Sequence, residues 1–129
     1  MPTSTLPTIL IIENDIATLN LYRRELSRDF AVIACSSKNE ALQTITSKNL
    51  DAVVLEPAAL NGEGWTLLES ILAQRTEHAR VLPTVLCSVL DERKRGLEMG
   101  ATIFLVKPVL PLQLLETLHQ VIGKTEITE

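Results

Sequence analysis

Short apolar runs alternate with stretches of helical period along most of the chain. Ile9 to Ile12 is a β-branched run ending in Glu13-Asn14-Asp15, and the next segment places Ile16, Leu19, Tyr22 and Leu26 on one face of a helix. Phe30 to Ala34 reads as a second strand. Ser37-Lys38-Asn39-Glu40 has the spacing of a capping box, in which hydroxyl and carboxylate satisfy each other's backbone N–H groups, and it opens a helix through Ala41, Leu42 and Ile45. Ala52 to Leu55 is a third strand. A Pro- and Gly-punctuated loop from Pro57 to Gly64 follows, then a helix with Leu67, Leu68, Ile71 and Leu72 on one face. Thr84 to Cys87 is a fourth strand, and Asp91 to Met99 predicts a short helix stopped by Gly100. Ile103 to Val106 is the fifth strand. Pro111 then opens a helix with Leu114, Leu115, Leu118, Val121 and Ile122 on one face, with its end expected at Gly123.

Strands alternating with helices predict a doubly wound α/β fold, because a helical crossover is the ordinary return to a parallel neighbour. One domain is expected over residues 8–123, with residues 1–7 as an N-terminal extension and 124–129 as a tail. At 129 residues and 46% hydrophobic content, the chain can bury a real core, which excludes the disordered and fibrous classes.

Charge and aromatic content narrow the partners. Twelve Lys and Arg against 16 Asp and Glu give a formal net charge of −4, so direct binding to nucleic acid is not expected. Tyr22, Phe30, Trp65 and Phe104 are too dispersed for a base-stacking platform. No apolar run approaches the ~20 residues of a membrane span, and the N-terminus lacks the basic start and apolar stretch of a secretory signal. A cytoplasmic protein without membrane contact is the expectation, with Cys35 and Cys87 as reduced thiols.

In open parallel sheets ligands bind beyond the carboxyl ends of the strands, near the point where strand order reverses. Here those ends carry Glu13, Asn14 and Asp15 after the first strand, Glu56 after the third, Ser88 after the fourth and Lys107-Pro108 after the fifth. Carboxylates beside a hydroxyl and a lysine are the groups that phosphoryl chemistry uses to hold a hard cation and an anionic oxygen together.

With these residues in place, the sequence resembles the receiver domain of bacterial response regulators from Thr8 to Ile122. The resemblance rests on Ile9 to Asp15, Asp51 to Glu56, Asn61-Gly62-Glu63-Gly64-Trp65, Pro83 to Ser88 and Gly100 to Pro108. It implies a flavodoxin-like, five-stranded parallel sheet of order 2-1-3-4-5 with five helices, an order the fold class illustrates with a receiver protein. Glu56 falls on the phosphoacceptor position, Glu13 and Asn14 on the acidic, metal-holding pair, Ser88 on the hydroxyl, Lys107 on the lysine and Phe104 on the switch aromatic. The partners it implies are a sensor kinase, an effector domain or a downstream target, and it allows a homodimer.

Two of these positions depart from the family. Glu56 is one methylene longer than aspartate, which moves the carboxylate by about 1.5 Å, and misplacement of that size can cost ~100-fold in rate. Asn14 replaces a directly ligating carboxylate with a neutral amide, and Mg²⁺ demands near-ideal geometry and charged oxygens. No cofactor is expected beyond weak Mg²⁺ at Glu13 and Glu56, and the chain is not expected to be an enzyme. The main expectation is a receiver that is not phosphorylated by the standard route and works as a protein-interaction module. Glu56 would either mimic the phosphorylated state by reaching Lys107 and Ser88 or sit in an inert pocket. The alternatives are a Mg²⁺-dependent phosphoacceptor using Glu56 and a flavin-binding protein of the same topology, which lacks a phosphate-cradling loop.

Other residues have plainer roles. Asp51 lies five residues before Glu56, roughly 16 Å away along a strand, at the wrong end of the sheet. Asp15 is read as a helix cap, and His78 and His119 as surface residues. Asp91 to Arg95 is read as a solvated helix face and Asn61 to Gly64 as turn chemistry. In the implied strand order Cys35 and Cys87 are three spacings apart, about 14 Å, so they cannot bridge. The stretch from Ser88 to Gly100 is about three residues shorter than the family leads one to expect, nearly a helical turn. That predicts a stunted fourth helix and alters the face the family ordinarily uses for partners.

Overall fold

The computed structural model describes residues 6–126, with side chains described to Gly123. Five parallel strands form one sheet in the order β2-β1-β3-β4-β5: β1 Thr8–Ile12, β2 Ala31–Ala34, β3 Ala52–Leu55, β4 Thr84–Ser88 and β5 Ile103–Val106. The helices are α1 Ile16–Leu26, α2 Lys38–Ser47, α3 Gly64–Leu72, α4 Arg93–Met99 and α5 Pro111–Glu126. The expected flavodoxin-like order 2-1-3-4-5 is therefore the observed one.

A parallel sheet covered on both faces needs strands that are apolar throughout, since alternate side chains enter different cores. Leu10, Ile12, Val53, Leu55, Leu86 and Phe104 pack with α2 and α3 on one face, whereas Ile9, Ile11, Val54, Val85 and Cys87 pack with α1 and α5 on the other. Register places Ile12 beside Leu55 and Leu55 beside Leu86. The residues after β1, β3 and β4 thus emerge on one edge.

The capping chemistry differs in one detail from the expected box. Ser37 accepts from the Glu40 N–H at 3.1 Å, as predicted, but Glu40 Oε1 accepts from the N–H of Ser36 at 2.8 Å instead of that of Ser37. Asp15 caps α1 as expected, accepting from the Thr18 N–H at 2.9 Å. Hydrogen bonds from the Thr18 side chain and backbone hold its carboxyl below its ordinary value. α4 is a seven-residue helix stopped by Gly100 in the left-handed region (φ 118°), as the short spacing predicted.

Three boundary or burial expectations are corrected. Gly123 does not end the last helix, which continues to Glu126. A glycine in a helix costs only about 1 kcal/mol, and the buried Val121 and Ile122 beside it hold the turn. Ile16 shares the helical period of Tyr22 and Leu26 yet is 72% exposed, because the first residue of α1 projects past the sheet edge. Phe30 precedes β2 instead of opening it, though it is fully buried. Of the proposed tail, residues 127–129 lie outside the described residues, as do residues 1–5 of the N-terminal extension.

Gly64 opens α3 against the chain that follows β3. A methyl group there would press into the backbone of Pro57, 2.6 Å from its carbonyl carbon, whereas one on Gly123 would meet nothing within 4 Å. Gly64→Ala is expected to destabilise by about 1–3 kcal/mol or more, and Gly123→Ala to stabilise by about 0.5–1 kcal/mol. Urea unfolding of the two variants should therefore shift in opposite directions.

Burial pushes Tyr22 and Cys87 both up to about 12, from ordinary values of 10.0 and 9.0. The native state then keeps two protons that the unfolded chain releases, so this stability is present in full below about pH 9 and is lost as pH rises toward 12. Urea midpoints are expected to fall over that window. Cys87→Ala should start from a lower stability and show a shallower slope, by up to about 1.4 kcal/mol per pH unit.

Candidate functional site at the carboxyl edge of the sheet

The first residue beyond each of β1 and β3 is a buried carboxylate, Glu13 and Glu56, and the first beyond β5 is Lys107. The strand register places all three side chains on one edge. Lys107 Nζ donates to Glu13 Oε1 at 2.7 Å and to Glu56 Oε2 at 3.2 Å, so one ammonium serves two carboxylates. The remaining oxygens face backbone donors: the Asp15 N–H reaches Glu13 Oε2 at 3.0 Å, and the Asn14 N–H reaches Glu56 Oε1 at 3.4 Å.

The electrostatics follow from this count. Burial raises Glu13 above its ordinary value, against the pull of the hydrogen bonds from Lys107 and the Asp15 N–H. For Lys107 burial works toward loss of the proton, but the hydrogen bonds and charges of Glu13 and Glu56 outweigh it and the net shift is upward. The causes differ: burial is the main reason Glu13 is raised, with the charge of Glu56 adding a little in the same direction, whereas Lys107 is held protonated by its two carboxylate partners.

The expected residues are brought together unevenly. Glu13, Glu56 and Lys107 form one hydrogen-bonded cluster. Asn14 joins it through its backbone N–H, a donor that any residue but proline supplies, and its side chain is exposed. Ser88 stands at the same edge, buried at the end of β4, but its hydroxyl accepts from the Leu90 N–H at 3.2 Å. No Glu56–Ser88 hydrogen bond occurs among the described residues, so the doubly engaged Glu56 expected for mimicry is present in its Lys107 half alone. Phe104 is buried, its ring packed against α4 and Leu86.

This donor set does not fit Mg²⁺. All four oxygens of Glu13 and Glu56 already face Lys107 or a backbone N–H, and the third family position holds a neutral amide. Among the described residues no three His, Cys, Asp or Glu side chains gather as metal ligands. Asp51 offers no substitute, because its Oδ2 accepts from the Thr8 N–H at 2.7 Å at the opposite edge.

Cys35 and Cys87 are free and buried. His119 is a surface residue with a partner that sequence alone did not reveal: its Nε2 lies 2.6 Å from Asp29 Oδ2, and its ring centre lies 5.0 Å from that of Phe30. A second missed contact joins α4 to α3, with the Arg95 guanidinium carbon 3.8 Å from the centre of the Trp65 ring. The charged run from Asp91 to Arg95 is otherwise solvated, with Arg93 near Asp91 and Arg95 near Glu92.

Comparison with known proteins places this geometry. The chain is 30% identical over 118 residues to the response regulator MprA of Mycolicibacterium vanbaalenii, covering 91% of this chain and 51% of that protein. It is 28% identical over 124 residues to the probable transcriptional regulatory protein SilR of Salmonella typhimurium, covering 94% and 54%. The chain thus spans about half the length of these two relatives. The N-terminal signal receiver domain of a two-component response regulator from Bacteroides fragilis superposes with a TM-score of 0.80 at 31% identity, covering 92% of this chain and 98% of that one. A CheY-like receiver domain protein from Methanospirillum hungatei gives 0.82 at 22% identity, with 95% and 98% covered, a likeness of fold. No helix among the described residues is long and apolar enough to cross a membrane. The response regulator receiver domain profile matches residues 9–119, and the chain belongs to that family, the receiver domains of two-component signalling.

Proposed function

We propose that this receiver domain is not switched by phosphorylation at Glu56 through the standard route and that it signals by binding a protein partner. The observation that supports this is the closed set of contacts around Glu56. One oxygen lies on Lys107 and the other over the Asn14 N–H, with no side-chain carboxylate at position 14 to bring a cation against it. A phosphoacceptor needs an accessible oxygen and a neutralising cation for the incoming group. Glu56 shares its one cation with Glu13.

In this reading the Lys107 contact that the family lysine would make with an acceptor is made permanently by a carboxylate that cannot be hydrolysed. The site is then a fixed structural centre, and the partner is a sensor kinase, an effector domain or a downstream target. Mg²⁺-dependent acceptance of phosphate by Glu56 is the competing reading. It draws on Ser88 and Lys107 standing at the right strand ends.

Titration with Mg²⁺ and a fluoride-based phosphoryl mimic, followed by Trp65 emission, tests the proposal. The chain is expected to give no saturable change while remaining folded. The double variant Asn14→Asp, Glu56→Asp, which restores a ligating carboxylate and the shorter acceptor, is expected to gain one. A saturable, Mg²⁺-dependent response of the unmodified chain would overturn the proposal in favour of the phosphoacceptor.

A further inference from the structure

The shortened α4 depends on its neighbours. Seven residues make about two turns, too few to persist without packing, and Glu92 ahead of it provides no side-chain cap. Its last residue, Met99, packs against the core shared with α3, and two further contacts seat it. Gly96 is buried against Leu86 and Phe104, where a methyl group would come within 2.7 Å of Leu86 Cδ1 and 2.8 Å of Phe104 Cδ2, so helix and ring fix each other. The adjacent Arg95 reaches sideways onto the face of Trp65.

Trp65 is in turn joined to the acidic edge. It is the second residue of α3, and the residue before it, Gly64, lies directly against the backbone of Pro57, which follows Glu56 in the chain. Packed atoms therefore run without a gap from Glu56 through Pro57, Gly64, Trp65 and Arg95 to Gly96 and Phe104. Ser88 offers the shorter line from the edge to α4, but its hydroxyl is turned to the Leu90 N–H and makes no hydrogen bond to Glu56.

We propose that Arg95 stacked on Trp65 is a latch that seats α4 and couples its position to Glu56 through the first turn of α3, bypassing the Ser88 hydroxyl. Coupling is an energetic quantity, read as the response of α4 to a change at Glu56. A solvent-exposed cation–π stack of ordinary strength changes a local opening equilibrium by about two- to fivefold.

Amide hydrogen exchange, read without Mg²⁺ or any phosphoryl mimic, keeps this proposal separate from the one about phosphorylation. In Arg95→Ala the α4 amides are expected to exchange about two- to fivefold faster, while those of β1 and β3 are unchanged. Trp65→Leu should do the same, and the double variant should be no faster than either single one. Glu56→Gln, which removes the charge facing Lys107, should alter α4 exchange in the unmodified chain and in Ser88→Ala, but not in Arg95→Ala. Unchanged α4 exchange in Arg95→Ala, equal acceleration in β1 and β3, or additive effects of Arg95→Ala and Trp65→Leu would overturn the latch. A failure of Glu56→Gln to move α4, or a response that survives without Arg95, would overturn the coupling.

Discussion

Two carboxylates cannot leave water on the same sheet edge unless a cation leaves with them, and Lys107 is the cation that makes the carboxyl edge of this fold possible. Glu13 and Glu56 come from the adjacent strands β1 and β3, whereas Lys107 comes from β5, two strands beyond β3. The pairing therefore ties the middle of the sheet to its edge through side chains, where the backbone ladder ties neighbours only. Removing the lysine would leave two buried, unneutralised carboxylates, a far greater penalty than any exposed ion pair can repay. The backbone completes this arrangement through the N–H groups of Asn14 and Asp15, which take up the oxygens that Lys107 does not.

The architecture was largely readable from the residue pattern because interior parallel strands must be apolar on both faces. Ile9 to Ile12 and Ala52 to Leu55 announce themselves as unbroken runs for that reason. Periodicity is less informative at helix ends. Ile16 has the right phase but lies past the sheet, and Gly123 looks like a stop although packing at Val121 and Ile122 carries the helix on. Gly100 does stop its helix, because its backbone adopts a left-handed conformation and no packed turn continues it.

At the site, strand ends located Glu13, Glu56 and Lys107, since the topology delivers whatever follows a strand to one edge. What sequence could not specify was how each group would bond. The departure of Asn14 from the family lies in its side chain, yet its contact with Glu56 is made by its backbone N–H, and Ser88 bonds locally to Leu90 in preference to reaching across to Glu56. Arg95 and Trp65 are separated by 30 positions and belong to different helices, so no periodic signal linked them.

The two hydrophobic cores are separated by the full thickness of the sheet, and each buried hydrophobic side chain of the strands belongs to one core or the other. Substitutions on opposite faces share no side-chain neighbours, so their energetic effects should combine almost independently. The layer beneath α2, α3 and α4 can thus be rebuilt by gradual mutation while the layer beneath α1 and α5 stays as it is. A lineage can reshape one half of such a domain, a truncated helix included, without renegotiating the other.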